Sequence, residues 1–224
     1  MKRKIPELVF VCGCNGAGKS TLTYSTIKEF REIYFIDPDR IAKEGNLSII
    51  GAGRKVSEIV DNFLDKKISF VKESTLTSNF DFSIAKKAKE AGFRTTLIYV
   101  GIRNAELAIL RVKKRIENGG HAVPEEDIRR RYDRSLANLA KAISIFDHTF
   151  VYDNTDSAYK IVAKFCNGEL IEQKFIPEWF KKIEEELQVL GCKSYNLTDA
   201  DDRRSASHQT ETQAPVVKKK RHRL

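Results

Sequence analysis

An apolar run, Glu7-Leu8-Val9-Phe10-Val11-Cys12, leads directly into Gly13-Cys14-Asn15-Gly16-Ala17-Gly18-Lys19-Ser20. The octet fits G-x-x-x-x-G-K-[ST] without mismatch. Its glycines let backbone N–H groups converge on phosphate oxygens, and a following helix adds the partial positive charge of its N-terminus. Such a loop requires a strand before it and a helix after it, and the flanking sequence supplies both. Gly13, Asn15, Gly16, Ala17, Gly18, Lys19, Ser20 and Thr21 are therefore the expected nucleotide-binding residues. Lys19 is suited to the β- and γ-phosphates, and Ser20 to a Mg²⁺ ligand position. Cys14 is either a tolerated side chain turned away from the ligand or a redox-sensitive group. Cys12 reads as a core strand residue.

The rest of the chain alternates apolar β-type runs with helical periodicity. Strands are expected at 7–13, 33–37, 68–73, 94–102 and 148–153. Helices are expected at 19–31, from Asp37 to Glu44, and at 54–68, 80–92, 104–118 and 124–146, with 45–53 as a loop. This alternation predicts an α/β fold: a P-loop NTPase-like parallel sheet with helices on both faces. A hairpin over 159–175 follows, turning at Asn167-Gly168, and then an amphipathic helix over 177–190. Beyond Ser194 apolar periodicity stops, and the sequence ends in a basic cluster, KKKRHRL, expected to be disordered.

Charge narrows the partners less than the loop does. The 224 residues carry a net +9. From Asp199 onward seven Lys/Arg face four Asp/Glu, so the tail contributes +3 and the body +6. A basic body suits anionic substrates, and nucleic acid is expected to be engaged only through the tail. No apolar run is long enough to span a membrane, and the N-terminal apolar stretch reads as the first strand rather than a signal peptide. Four cysteines without metal-ligand spacing point to a reducing cytoplasm.

Phosphate loops serve motors, switches and kinases alike. A transporter-type motor needs an LSGGQ-like signature, and a guanine-nucleotide switch needs N-K-x-D; neither occurs. What does occur is a set of carboxylates and hydroxyls at the carboxyl ends of later strands, where ligands of open α/β sheets lie. Asp37 and Asp39 follow the second strand. They read either as N-cap and first-turn acid around Pro38, or as a group that accepts a proton from an acceptor hydroxyl. Glu73 and Thr75 follow the third strand, as ordinary turn residues, or as a carboxylate and hydroxyl that bind a sugar hydroxyl or support the Mg²⁺ shell. Between 110 and 132 two basic helices flank Gly119-Gly120 and His121, in the manner of a mobile lid. Most of its cations belong to a solvated face; Arg111, Arg115, His121 and Arg131 are the candidates for the transferring phosphoryl group.

Together the segments GCNGAGKST, FIDPDRIA, KESTLTS, LAILRVKKRIENGGHAVPEEDIRRRYDRSL and VYDN resemble the zeta-toxin family of P-loop kinases, over about residues 6–155. The GGHAVP…IRRRYDRSL segment is the more specific part. The resemblance implies ATP- or GTP-dependent phosphorylation of a sugar hydroxyl, with UDP-N-acetylglucosamine as the type of acceptor, and a possible antitoxin partner. By position it implies Lys19 as the loop lysine, Asp39 as catalytic base, Glu73 and Thr75 as the substrate-binding E-x-T segment, and Arg111 as a lid arginine. Asp37 is grouped with the substrate-binding residues. Larger members carry a second arginine where this chain has His121, and Arg131 is the candidate replacement. The expected division is a kinase core at 1–155, a hairpin and helix at 156–193 packed on it, and the tail at 194–224. A polynucleotide kinase and a nucleotide-dependent regulator without transfer activity are the rival readings.

Overall fold

The computed structural model describes residues 5–27, 33–120, 122–156 and 158–189. His121 and the basic tail lie outside the described residues. Strand β1 (Glu7–Cys12) occupies the middle of a seven-stranded sheet and enters the loop ahead of helix α1 (Lys19–Ile27). On one side it pairs in parallel with β3 (Phe70–Ser74), which pairs with the short edge strand β2 (Tyr34–Ile36). On the other side lie β4 (Arg94–Gly101) and β5 (His148–Asp153), also parallel. The strands β6 (Lys160–Cys166) and β7 (Glu169–Gln173) then extend the same sheet antiparallel to β5, so the hairpin is a continuation of the sheet.

Alternation along the central strands makes two cores. Leu8, Phe10 and Cys12, with Leu97 and Tyr99 of β4, pack beneath α3 (Ile49–Asp65), α4 (Asn79–Glu90), α7 (Leu139–Ile145) and α8 (Glu178–Val189). Val11, with Ile98 and Val100, packs on the opposite face against α1, α5 (Ala105–Glu117) and α6 (Glu125–Ala137). Strands covered on both faces are hydrophobic nearly throughout, as a parallel sheet demands. The described residues contain no helix long and apolar enough to cross a membrane.

Two expected boundaries are corrected. The stretch 45–53 is not all loop: α3 begins at Ile49 because the Ser48 hydroxyl accepts a hydrogen bond from Gly51 N at 3.1 Å, which caps the helix despite its two early glycines. The run 124–146 is two helices, broken at Asn138. Its side-chain amide donates to Leu76 O at 2.9 Å, across the sheet's carboxyl end, instead of capping α7. Within α1, the part of the expected helix beyond residue 27 and up to 31 lies outside the described residues.

Candidate functional site

The carboxyl ends of β1, β2 and β3 and the facing sides of α2 (Pro38–Glu44), α3, α5 and α6 enclose one cavity of about 810 Å³. One wall is the predicted loop: Asn15, Gly16, Gly18, Lys19, Ser20 and Thr21. The two terminal glycines of that loop are required by space. Gly13 has φ +139°, and a Cβ there would lie 2.2 Å from Val100 O; Gly18 has φ +99°, and a Cβ there would lie 2.4 Å from the Asn154 amide nitrogen. Lys19 Nζ donates to Gly13 O at 2.9 Å and Cys14 O at 3.0 Å, keeping the ammonium against the loop. The Cys14 side chain turns away into the apolar core, and burial pushes its thiol up to about 11. A thiol held protonated is a poor nucleophile, which argues against the redox reading.

The opposite wall carries Asp37, Asp39, Glu73 and Thr75. Asp37 is the N-cap of α2: its carboxylate accepts from Asp39 N at 3.0 Å and Arg40 N at 3.3 Å. That is the structural role the Asp-Pro-Asp spacing allowed. Asp39 is thereby left as an exposed carboxylate on the first turn, lining the cavity. Glu73 is paired in register with Val11, one strand over from the loop. Its two oxygens accept from Ser20 Oγ at 3.1 Å and Thr23 Oγ1 at 2.8 Å. Burial pushes the Glu73 carboxyl up, while the Lys19 ammonium and the two hydroxyls pull the other way. Thr75 Oγ1 lies 2.9 Å from Thr77 Oγ1.

The basic helices contribute Arg111 and Arg115 from α5 and Arg131 from α6, all lining the cavity. Arg131 Nη1 donates to Asn15 Oδ1 at 3.2 Å, which ties the second basic helix to the phosphate loop. Arg111 Nη2 donates to the carbonyls of Asn154 and Thr155 at 2.8 and 3.0 Å, while its Nη1 is buried without a partner among the described residues. The hydroxyl of Ser20 and the carboxylate of Glu73 form an oxygen donor set. Mg²⁺ suits it, because this ion is commonly held by one or two protein oxygens together with substrate phosphates. No group of three or more His, Cys, Asp or Glu that could hold a metal ion occurs among the described residues.

Several site residues carry no local signal in the sequence. Lys72 and Asp81 form a fully buried ion pair at 2.8 Å in the cavity floor, and Ser74 Oγ donates to the same carboxylate at 2.6 Å. The ammonium also sits 5.0 Å from the centre of the Phe10 ring. Asn154 Nδ2 donates to Ala17 O at 2.7 Å, and Tyr159 OH to Gly18 O at 2.7 Å, so the segment after β5 grips the loop from outside. The strand-end sequence VYDN marks the first of these grips; nothing local marks the second.

Comparison with known proteins agrees with this geometry. The zeta toxin family profile matches residues 1–162. An uncharacterized protein of Haemophilus influenzae is 38% identical over 131 residues, covering 56% of this chain and 92% of its own length. Among solved structures, one from the PezAT chromosomal toxin-antitoxin system of Streptococcus pneumoniae superposes with a TM-score of 0.59 at 20% identity, covering 84% of this chain and 86% of that one. The AvrRxo1-ORF1:-ORF2 complex with ATP gives 0.57 at 16% identity, covering 82% and 64%. At such identities the solved structures establish the shared fold, and the profile establishes the lineage. The chain belongs to the zeta-toxin family of P-loop kinases.

Proposed function

We propose that this protein transfers the γ-phosphoryl group of ATP, or of GTP, to a hydroxyl of a nucleotide sugar such as UDP-N-acetylglucosamine. One observation carries the reading: a single cavity joins the phosphate loop to an exposed carboxylate, Asp39, and to the Glu73–Thr75 segment. A nucleotide-binding switch has no use for a free carboxylate opposite the loop; a phosphotransferase does.

In this reading the acceptor lies between Asp39 and the loop, held through its hydroxyls by Glu73 and Thr75. Asp39 takes the hydroxyl proton as the oxygen bonds to the γ-phosphorus, and the bond from that phosphorus to the bridging oxygen of the nucleoside diphosphate breaks. The products are ADP and a phosphomonoester. Lys19, Arg111 and Arg131 neutralise charge on the migrating group, so that catalysis consists of positioning and electrostatic stabilisation. Ser20, its hydroxyl oriented by Glu73, is the residue that would hold Mg²⁺, which would supply further charge neutralisation at the phosphates. An antitoxin-type protein is the proposed partner, and co-purification with the product of an adjacent small gene tests it.

The deciding experiment incubates the protein with γ-labelled ATP and three pools: UDP-sugars, oligonucleotides, and no acceptor. Label in the UDP-sugar pool supports the proposal. Label in oligonucleotides alone transfers the assignment to a polynucleotide kinase, and nucleotide binding with no transfer assigns a regulator.

A further inference from the structure

The family match ends at residue 162, yet a side chain beyond it is bonded to the strand end beside the site. Trp179, in the first turn of α8, is buried, and its indole N–H donates to Asp153 Oδ2 at 2.6 Å. It packs against the end of β4: a Cβ on Gly101 would fall 2.3 Å from the indole ring, so only glycine leaves it room. Asp153 is itself buried, at the last position of β5. Its other ligands are Thr155 N at 2.9 Å and Thr155 Oγ1 at 2.8 Å. These bonds close a turn at 153–155 and fix the direction of its carbonyls.

That direction matters because the carbonyls of Asn154 and Thr155 are the acceptors for Arg111 Nη2. A guanidinium is planar, so fixing one nitrogen fixes the other. Arg111 Nη1 is consequently held buried, unpaired among the described residues, and part of a side chain that lines the cavity. The same turn presents Asn154, whose amide holds Ala17 O of the phosphate loop.

We infer that Trp179 is a positioning residue: through the Asp153 turn it holds the Arg111 side chain in place in the wall of the nucleotide cavity. The C-terminal helix thereby takes part in nucleotide recognition without touching the nucleotide. A buried carboxylate sharing three donors behaves as a network, and loss of one donor loosens the rest.

The test is a double-mutant cycle on the full-length chain, read as the dissociation constant for ATP in the presence of Mg²⁺. Trp179→Phe keeps an aromatic ring and removes the N–H. It is expected to weaken ATP binding roughly 5- to 20-fold in the wild-type background, the range for residues in one hydrogen-bond network. In an Arg111→Ala background the same change is expected to cost less than about twofold, because the group it orients is gone. Equal losses in both backgrounds would overturn the inference and leave Trp179 a purely structural residue; so would no loss in either. Should Trp179→Phe fail to fold, Thr155→Val removes a hydroxyl from the same carboxylate and is judged by the same cycle. The inference rests on the nucleotide reading of the cavity. Wild-type protein that fails to bind ATP overturns both, whereas wild-type binding with additive losses overturns this one alone.

Discussion

Ser20 and Glu73 stand 53 positions apart in the chain and share a hydrogen bond of 3.1 Å. The bond joins the phosphate loop to the carboxyl end of β3, and it makes the charge of Glu73 a property of the loop. Burial raises the Glu73 pKa, so the folded protein holds a proton on this group more tightly than the unfolded chain does. Stability from this group is therefore greatest at acid pH and falls as pH rises through the raised pKa. Glu73→Gln, an uncharged isostere whose amide oxygen can accept from Thr23 while its NH₂ donates to the Ser20 hydroxyl, is expected to raise the melting temperature of the unliganded protein at pH 7. The gain should shrink toward pH 4. Thermal melts of both proteins between pH 4 and 8 check it; a gain that grows at acid pH has the wrong sign.

Lys19→Ala should yield a folded protein, since among the described residues the half-buried side chain hydrogen-bonds loop carbonyls, those of Gly13 and Cys14. Transfer should fall by about 3 kcal/mol in activation free energy, the scale of losing one donor to the transition state. Wild-type turnover by the folded variant would remove the loop from the chemistry.

Asp39→Asn preserves shape at the start of α2, where Asp37 already supplies the cap. A fall in kcat of roughly 10²- to 10⁴-fold with little change in nucleotide affinity is expected of a lost proton acceptor. Loss of stability with kcat intact would reduce Asp39 to a first-turn acid.

Gly53 sits inside α3 and lines the cavity, and a Cβ built there meets no atom within 4 Å. A helix-interior glycine costs about 0.5–1 kcal/mol relative to alanine, and no neighbouring atom requires it here. Gly53→Ala should accordingly stabilise the fold by up to that amount. It should also raise KM for the sugar acceptor while the ATP dissociation constant stays put. Stabilisation with an unchanged acceptor KM would show that the acceptor does not use this wall.

The legible part of this protein was the part whose chemistry is local. A phosphate loop needs its glycines and lysine at fixed spacing, so the motif announces itself, and Glu73 and Thr75 follow from their place after a strand. Lys72 was illegible because a lysine next to a glutamate at the end of a strand reads as a solvent-facing position. In a strand covered on both faces no such position exists, and Asp81, nine residues on, neutralises it. The start of α3 was hidden by glycines at 51 and 53 that look like loop, and the break at Asn138 by apolar periodicity that continues through it. Trp179 and Tyr159 act on segments far away in sequence, and no spacing rule connects them.

The two edges of the sheet end differently. β2 is three residues long, too short to template much pairing. β7 is longer and leaves Ile171 more than half exposed, but Glu169 and Glu172 flank it, and Glu172 is bracketed by Lys164 and Lys174. Charge beside an exposed apolar strand residue is the usual guard against edge-to-edge association of chains. The hairpin that lengthens the sheet thus brings its own protection against aggregation, and neutralising Glu169 and Glu172 together should lower the concentration at which the protein stays in solution.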